Sequence, residues 1–425
     1  MPAEARGERG GSEPRLTPGS VVRRCRDDGG EQRVVRLRLL VLALGTFAIG
    51  TGSFVFAGLL EGVANDLSVS VGTAGNLVTV FAVTYAAVSP VLVTLTGSVA
   101  PRKILFAAMA VFAAANAAAV FAPTFGLLLA CRVLAACGAA VFTPTALAVA
   151  AGLAPPEERG RSISTITGGL TVSFVVGIPL GSIIGTYSGW RMTFVMVAVL
   201  GVVAMLGVRA LPSVEAPPVV GFRERVDAMR QPAVLAALGL TTLGLMGGFV
   251  VFTYVSPLLA EITGFGGAGV SGLLFLFGIA ALLGNWLGGY GADHIGYARL
   301  MAAILSLLSL SLLGFSLLVA SSGTALAVPG TLAALALWGV AGFALNPLQQ
   351  YRVAQLAPGI RNIALSLNAS AIYLGQGIGA GLGALALGNG SLATLGWTGS
   401  LCALAALALL LLTSRAKRQD VAPEG

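Results

Sequence analysis

The chain has 425 residues, of which 56% are hydrophobic and 10% charged, and its mean hydropathy is +0.90. This composition excludes a soluble globular protein and predicts a chain with many membrane crossings. The formal net charge of +8 would suit a nucleic-acid partner, but the basic residues lie in short loops beside apolar runs, where membrane topology explains them. We therefore expect no nucleic-acid partner.

Residues 1–38 are polar and rich in Gly, Glu and Arg, and they end in Arg33, Arg36 and Arg38. They lack the apolar core of a signal peptide. Such a composition predicts a disordered tail on the cytoplasmic side.

Twelve apolar runs follow, each near the ~20 residues that a helical crossing requires. Their predicted limits are 39–60, 73–96, 104–122, 126–150, 162–186, 192–211, 233–257, 269–290, 300–319, 326–348, 363–387 and 395–414. Loops on the side of the N-terminal tail carry most of the Arg and Lys, whereas the opposite loops hold only Arg191, beside Asp66 and Glu261. The positive-inside rule then predicts a multi-pass protein of the plasma membrane with both termini in the cytoplasm.

The longest internal polar segment, 212–232, divides the spans into two sets of six. We expect an N-terminal bundle over 39–211, a C-terminal bundle over 233–414 and a cytoplasmic tail over 415–425. The second part of the linker has two open interpretations, a short helix on the membrane surface or a solvated segment.

The two halves repeat short sequence features. Leu-Leu-Glu at 59–61 ends the first span, and Leu-Leu-Ala-Glu at 258–261 ends the seventh. Similar loops that run from Gly to basic residues follow the second span at 97–103 and the eighth at 289–299. Two similar six-span bundles are the architecture of an alternating-access transporter, with its site between them near the midplane. The predicted fold is therefore an all-α integral membrane protein of two pseudo-symmetric six-helix bundles.

The fifth span carries Gly177, Pro179 and Gly181 close together. Glycines let neighbouring helices approach closely, and the proline removes one backbone hydrogen bond and crowds the preceding turn. We expect a bend near Pro179 that helps the two halves to move. The alternative is an ordinary membrane helix, since Gly and Pro are common in them.

Four segments between Leu39 and Ser414 carry a family resemblance. They are Gly52–Leu60 with Asp66–Ser70 and Ala74–Gly75, the loop Gly289–Gly296, Arg132 with Gly138, and Gly177–Gly181 with Gly189–Arg191. Together they resemble the major facilitator superfamily, specifically its twelve-span drug:proton antiporters of the arabinose-efflux and chloramphenicol-resistance type. The resemblance implies export of small amphipathic compounds in exchange for protons, with the motif at Gly177–Pro179 linked to export.

The chain departs from that family pattern at two positions in and after the first span. Ser53 stands where family members often carry a glutamate, and Glu61 stands where a proline commonly follows the Leu-Leu pair. The loop at 97–103 also lacks the aspartate of the family motif.

All 17 acidic residues lie away from the centres of the predicted spans. A proton-coupled carrier usually binds its proton on a carboxylate within the membrane. We therefore expect coupling to fall to Glu61 or Asp66 at the outer mouth, if these are more than solvated loop charges.

Arg132 is the one clear charge within a predicted span. Burying an arginine at a helix centre costs ~3 kcal/mol on insertion scales unless it reaches water or a partner. One hypothesis is that Arg132 snorkels outward. Our preferred hypothesis is that it faces the central cavity, where it would order polar groups, attract anionic or dipolar substrates or shift the pKa of a carboxyl.

Asp293 is a candidate gate residue. The resemblance implies that this aspartate latches the cytoplasmic ends of the two bundles, and an aspartate is favourable near a helix N-terminus. We predict contact with the start of the fifth span near Arg161 and Ser162. The alternative is a solvated turn.

In the family the first, fourth, seventh and tenth spans line the cavity. Aromatic side chains with a few polar groups suit amphipathic organic molecules. The candidate lining residues are Ser53, Phe56, Phe142, Thr143, Phe249, Tyr254, Trp338 and Asn346.

Other functions remain open at this point. The same fold could export, or simply let pass, a sugar, nucleoside or amino acid without proton coupling. An integral membrane enzyme would need clustered polar residues at one membrane face, and the chain has a single histidine and no such cluster. The four cysteines have neither metal nor disulfide spacing, and no ATP-binding motif is present. We expect a monomeric transporter that needs no cofactor and no metal, and whose partners are lipid, a small-molecule substrate and protons.

Overall fold

The computed structural model describes residues 18–153, 158–212, 224, 227–228, 230–356, 361–388 and 390–419. All regular secondary structure of these residues is helical, and twelve segments are long and apolar enough to cross a membrane. We number them spans 1 to 12: Arg33–Gly58, Val71–Thr96, Pro101–Val120, Phe125–Leu153, Arg159–Ser188, Trp190–Val208, Pro232–Phe252, Gly267–Gly291, Tyr297–Ala320, Ala327–Leu356, Ile363–Gly388 and Ala393–Ser414. The predicted all-α fold with twelve crossings is confirmed.

Several helices extend beyond the spans or interrupt them. The helices run Pro18–Phe54, Val55–Gly58 (3-10), Leu60–Asp66, Val71–Thr96, Pro101–Val120, Phe125–Leu153, Arg159–Val172, Ser173–Gly177 (π), Ile178–Ser188, Trp190–Val208, Pro232–Phe252, Val255–Thr263, Gly267–His294, Tyr297–Ala320, Ala327–Leu356, Arg361–Gly388 and Ala393–Gln419. The described chain enters span 1 and leaves span 12 on the same side of the membrane, which we call the terminal side. The opposite side is called the far side.

The first helix begins much earlier than the sequence predicts. It starts at Pro18, so residues 18–38 are helical where we expected a disordered tail, and 1–17 lie outside the described residues. Proline is favoured at the first helical position, and no further proline interrupts the chain before Phe54. Once span 1 has nucleated a helix, adding residues to its end requires no new nucleus.

Local sequence explains where several spans begin and end. The side chain of Ser70 caps span 2 by accepting a hydrogen bond from the backbone N–H of Thr73 at 3.0 Å. Spans 3 and 7 begin with Pro101 and Pro232, whose missing N–H needs no partner there. The helix after span 7 ends at Gly264, whose φ of 70° is left-handed and is tolerated best by glycine.

Span 5 is not a uniform α-helix. A π-helical turn, Ser173–Gly177, separates its two α-helical parts, and Pro179 follows directly. Pro179 has no N–H to donate and its ring crowds the preceding turn, which the wider π turn accommodates. The structure thus places a π turn directly before Pro179, and the bend expected there stays a prediction.

The two sets of six spans form two bundles with matching irregularities. Span 1 is broken by the 3-10 turn Val55–Gly58, and span 7 ends before a break at 253–254; each break is followed by a short helix. Spans 4 and 10 carry interior prolines at corresponding heights, Pro144 and Pro347. The carbonyl of Ala140, four residues before Pro144, instead accepts a hydrogen bond from Ser89 of span 2 at 2.9 Å. These features agree with the pseudo-symmetry predicted from the sequence repeats.

Spans 1 to 6 form the N-terminal half and spans 7 to 12 the C-terminal half. The halves meet mainly along two pairs of spans, span 2 against span 11 and span 5 against span 8. Within the halves, small residues allow close packing: a Cβ on Gly339 of span 10 would lie 2.6 Å from the Cβ of Ala280 in span 8.

Most of the predicted linker lies outside the described residues. Its described part includes a buried Ala228, which packs with Val234, Val353 and Ile363 on the terminal side of the C-terminal half. Asp227 and Arg230 form an ion pair at 3.4 Å. This end of the linker is therefore attached to the C-terminal half.

Candidate functional site between the two halves

Tyr254 joins the two halves on the far side. It occupies the break after span 7, and its hydroxyl donates to the carbonyl of Ala380 in span 11 at 3.1 Å and to that of Gly72 in span 2 at 3.4 Å. The ring lies where side chains at Gly75 and Gly383 would clash with it. Glycine at both positions leaves the room that this contact requires.

Spans 5 and 8 make the second contact on the far side. The hydroxyl of Ser271 donates to that of Ser182 at 2.9 Å, and both side chains are buried. Closer to the membrane centre, Gly278 lies against the backbone of Phe174 and Val175, so closely that a Cβ would come within 2.6 Å of the Phe174 carbonyl oxygen. The halves are therefore in direct backbone contact here.

A cluster of aromatic rings fills the interface near the middle of the membrane. Phe54 and Phe174 come from the N-terminal half, and their centroids lie 4.4 Å apart. Phe174 meets Phe343 of span 10 edge to face at 4.6 Å, and it approaches Phe252 at 5.8 Å. The other rings of this cluster, all in the C-terminal half, are Phe249, Phe277 and Trp338. The cluster closes the interface between the far-side contacts and the terminal side.

Below Phe343, the facing surface of span 10 becomes progressively more exposed. Residues three, four and seven positions along a helix share one face, so Asn346 and Gln350 continue the face that Phe343 presents to the N-terminal half. Asn346 is half-buried and Gln350 is exposed; the amide of Gln350 donates to that of Asn346 at 3.1 Å.

Span 5 opens in the same direction. Thr171 and Thr167 continue the face of Phe174 toward the terminal side, and both are half-buried. Ile163, a further turn along, is 38% exposed. The halves therefore diverge toward the terminal side, and we call the space between these faces of spans 5 and 10 the vestibule. The conformation is closed on the far side and open on the terminal side.

The second interface, between spans 2 and 11, is closed by two tyrosines. Tyr85 and Tyr373 stack with ring centroids 3.6 Å apart and planes inclined by 20°, and both are buried. Gly377, one turn further along span 11, lies against span 2 so closely that its Cβ would meet Val83 at 2.8 Å. Thr143 of span 4 is buried and neighbours Tyr85.

Arg132 lies inside the N-terminal half. Its side chain is 1% exposed, and its guanidinium lies between the rings of Phe56 and Phe81, 4.4 and 4.3 Å from their centroids. Nη1 donates to the carbonyl of Gly52 at 3.0 Å and Nε to that of Leu77 at 3.3 Å. Nη2 has no partner among the described residues. The side chain neither snorkels outward nor faces an open cavity, so both sequence hypotheses are wrong for this conformation.

The predicted cavity residues separate into two groups. Ser53, Phe56 and Phe142 are buried within the N-terminal half instead of lining an open cavity. Phe56 packs against Phe194 of span 6, Phe142 lies against Gly45 of span 1, and the hydroxyl of Ser53 donates to the carbonyl of Ile49 in its own helix. The other candidates lie at the interface, in the following places: Phe249 and Trp338 in the aromatic cluster, Tyr254 at the far-side contact, Thr143 beside Tyr85, and Asn346 in the vestibule.

The two acidic candidates for coupling lie outside the twelve spans. Glu61 is exposed in the first turn of the short helix after span 1. Asp66 forms an ion pair with Arg191 and accepts a hydrogen bond from the indole N–H of Trp190 at 3.2 Å. Arg191 also donates to the carbonyl of Ala122 at 3.2 Å, so this cluster ties the far-side ends of spans 1, 3 and 6 together.

The predicted gate residues are only partly described. Gly177 and Gly181 lie against Thr51 and Val55 of span 1, and Pro179 is buried between them. Arg161 is exposed and forms no ion pair with a described residue. Asp293 lies in the last turn of the helix of span 8, not in a loop, and its side chain lies outside the described part, so its predicted contact with Arg161 stays a prediction.

Several residues at the interface were not among the residues predicted from the sequence. They are Phe54, Tyr85, Thr171, Phe174, Phe343, Gln350 and Tyr373. Most lie on spans 2, 5 and 11, outside the four spans that the family resemblance assigns to the cavity. Among the described residues no group of three or more His, Cys, Asp or Glu side chains could hold a metal ion.

Comparisons with known proteins identify relatives over most of the chain. The profile of the Major Facilitator Superfamily matches residues 42–380. An uncharacterized MFS-type transporter of Bacillus subtilis, YbcL, is 34% identical over 384 residues, which are 90% of this chain and 97% of the relative. A chloramphenicol resistance protein of Streptomyces lividans is 34% identical over 382 residues, covering 87% of this chain and 95% of that protein.

A solved structure shares the fold. The crystal structure of a bacterial homolog of the human lysosomal transporter Spinster, in an inward-facing and unoccupied conformation, superposes with a TM-score of 0.70 at 16% identity. The match covers 93% of this chain and 99% of that one.

Proposed function

The chain belongs to the major facilitator superfamily, and from this premise we propose that it exports small amphipathic organic compounds, such as drugs or secreted metabolites, by alternating access. The observation that carries the proposal is the vestibule. It opens on one side between spans 5 and 10, while Tyr254 and the aromatic cluster close the other side. A site between two bundles that is reachable from one side only is what alternating access requires.

The composition of the site supports an amphipathic organic substrate. Phe174 and Phe343 form the apolar end of the vestibule, and Thr171, Asn346 and Gln350 place neutral hydrogen-bonding groups beside it. Pockets of this kind hold a ligand by apolar contact and orient it with a few polar groups. The chloramphenicol resistance protein among the relatives supports the same class of compound.

We propose that the terminal side faces the cytoplasm of a cell whose plasma membrane holds the protein as a monomer. The basic loops on that side support the orientation through the positive-inside rule. A single chain contains both halves of the site, which supports a monomer. In this orientation the vestibule opens to the cytoplasm, where an exporter collects its substrate.

Proton exchange is proposed from family resemblance alone. No span contains an aspartate or a glutamate, and Asp66 is held by Arg191 outside the spans. Export of drugs in exchange for protons would need a titrating group elsewhere, and Glu61 is the remaining acidic candidate at the far side.

Efflux from an efflux-deficient bacterium that expresses the chain tests the proposal. We expect faster loss of chloramphenicol, or of another compound in a panel of uncharged drugs, than from cells with an empty vector. A protonophore added to the same cells tests coupling: slowed efflux supports proton exchange, and unchanged efflux contradicts it. No efflux of any compound would contradict the export of drugs and favour the alternative, a dedicated carrier of a sugar, nucleoside or amino acid.

A further inference from the structure

The charges of the twelve spans are of one sign. None of the span sequences contains Asp or Glu. Asp293 lies two residues beyond span 8 in the last turn of its helix, and the other acidic residues lie in the tails, the linker, the loops or the short helices outside the spans. Basic residues are present at the terminal-side ends of several spans, and Arg132 lies in the far-side part of span 4. The interior therefore offers no fixed negative charge to a substrate.

Arg132 makes this imbalance stronger. Its guanidinium is buried, its two bonded nitrogens reach neutral backbone carbonyls, and Nη2 has no partner among the described residues. A buried cation without a counter-charge disfavours a second cation nearby and favours an anion. The field of Arg132 is weakly screened because the side chain is enclosed by protein and not by water.

The vestibule walls carry no negative charge that could offset the charge of a positive substrate. Thr167, Thr171, Asn346 and Gln350 offer hydroxyl and amide groups, which can donate or accept hydrogen bonds but carry no charge. The faces of aromatic rings attract cations, but Phe174 already packs against Phe54 at 4.4 Å and Phe343 at 4.6 Å. A cation that enters must lose hydration without gaining an ionic partner.

We propose that the vestibule takes neutral or anionic organic compounds and excludes organic cations, and that the absence of a carboxylate in the spans sets this selectivity. The inference rests on the proposed function of export, whose substrate class it narrows. Compounds that bear hydroxyl, amide or nitro groups on an apolar skeleton match the neutral hydrogen-bonding walls. Quaternary ammonium compounds and cationic dyes do not.

Two dyes that share a three-ring skeleton test whether the vestibule excludes organic cations, an expectation that we call the charge rule. Fluorescein is anionic and rhodamine 123 cationic at neutral pH, and fluorescence anisotropy with the purified protein in detergent reports binding without transport. We expect rhodamine 123 to bind at least tenfold more weakly than fluorescein. Equal affinities, tighter binding of rhodamine 123, or no binding of fluorescein and of chloramphenicol would overturn the proposal.

A designed carboxylate supplies the converse test. Asn346→Asp keeps an oxygen for the hydrogen bond from Gln350 and adds one negative charge to the vestibule. We expect it to bind rhodamine 123 at least tenfold more tightly than the wild type. Asn65→Asp, the same change at an exposed far-side position, is the matched control and should bind the dye like the wild type. An equal gain in both variants, or in neither, would contradict the assignment of selectivity to the vestibule.

Efflux assays of the same dyes separate this inference from the proposed function. Charge-selective binding without efflux of any compound would contradict export and leave the charge rule standing. Efflux of both dyes at equal rates would support export and overturn the charge rule.

Discussion

At the scale of single residues, Arg132 is the side chain whose environment differs most from a solvated charge. It is bonded to carbonyls of spans 1 and 2 while it belongs to span 4, so one side chain connects three spans. The carbonyl of Gly52 lies just before the 3-10 turn of span 1, where the helix is interrupted. Arg132 therefore stabilises the broken end of span 1 and is not in contact with the vestibule in this conformation.

Replacement of Arg132 tests this role. We expect Arg132→Ala to destabilise the protein by about 3 kcal/mol, since hydrogen bonds to charged groups contribute ~1.5–3 kcal/mol each and relief of the buried charge offsets part of the loss. Arg132→Lys keeps the charge but cannot reach both carbonyls with one fork, so we expect about half of that loss. Thermal unfolding in detergent measures both, with exposed Arg161→Ala as the control. Wild-type unfolding temperatures and normal efflux in both Arg132 variants would rule out the role.

Asp66 predicts a dependence of stability on pH. The hydrogen bond from Arg191 holds the pKa of the Asp66 carboxyl below its usual value. Slight burial acts in the opposite direction, while the charge of Arg191 and the hydrogen bond from the Trp190 indole lower the pKa further. A carboxyl with a lowered pKa in the folded state stabilises the fold above its unfolded pKa of ~3.9, and the contribution disappears as the pH falls through the folded value. Since both side chains are more than a third exposed, we expect less than ~1 kcal/mol.

Thermal unfolding between pH 7 and pH 3 checks this sign. Asp66→Asn keeps a hydrogen-bond acceptor but cannot ionise. The wild type should therefore unfold at a higher temperature than the variant at pH 7, and the two unfolding temperatures should converge below about pH 4. A gap that widens as the pH falls would contradict the assignment.

At the scale of elements, the contact between spans 5 and 8 decides how tightly the far side closes. The π turn in span 5 contains Phe174 and Val175, and Gly278 of span 8 lies directly against their backbone. Because backbone cannot move aside as a flexible side chain can, a methyl group at this position must separate the two spans. The close contact between the halves thus lies where span 5 departs from α-helical geometry.

Gly278→Ala is expected to shift the protein away from the present conformation. Its Cβ would lie 2.6 Å from the carbonyl oxygen of Phe174, so the far-side contact should weaken and the vestibule should close more often. A cysteine placed at Gln350, in a chain whose four native cysteines are replaced, should then react at least fivefold more slowly with a water-soluble maleimide. Gly272→Ala in the same span has open space around its Cβ and should react like the parent. Equal reaction rates in both variants would contradict the expectation that a methyl group at position 278 separates spans 5 and 8.

At the scale of the whole molecule, the two halves are alike in backbone but not in charge. Each half has a broken first span and a proline in its fourth span, yet the buried arginine is present only in the N-terminal half among the described residues. The spans of the C-terminal half instead supply most of the aromatic cluster. The N-terminal half therefore encloses a buried positive charge, whereas the C-terminal half contributes most of the apolar rings at the interface.

The orientation of the molecule is a prediction at this scale. Green fluorescent protein folds in the cytoplasm, so we expect a fusion to the C-terminus to fluoresce. Alkaline phosphatase folds outside the cytoplasm, so we expect a fusion at Pro123, between spans 3 and 4, to be active. Phosphatase fused at Glu158, between spans 4 and 5, is the control and should be inactive. The reverse pattern would show that the vestibule opens outward and would contradict export from this conformation.

The sequence by itself determined the membrane class, the number of spans and the pairing of the two halves. Runs of ~20 apolar residues can satisfy their backbone hydrogen bonds in lipid only as helices, so these features depend on local composition. The absence of acidic residues from every span followed from the chain in the same way, whereas the π turn before Pro179 was found only in the structure.

Only the tertiary structure decided which face of each span meets the other half. Glycine-rich spans have apolar residues on all sides, so periodicity does not distinguish a face toward lipid from one toward protein. For this reason Phe56 and Phe142 were expected in the cavity and lie in the N-terminal core, while Phe174 and Phe343 were missed. The enclosure of Arg132 depends on carbonyls of residues 52 and 77, which come together with it only when spans 1, 2 and 4 pack.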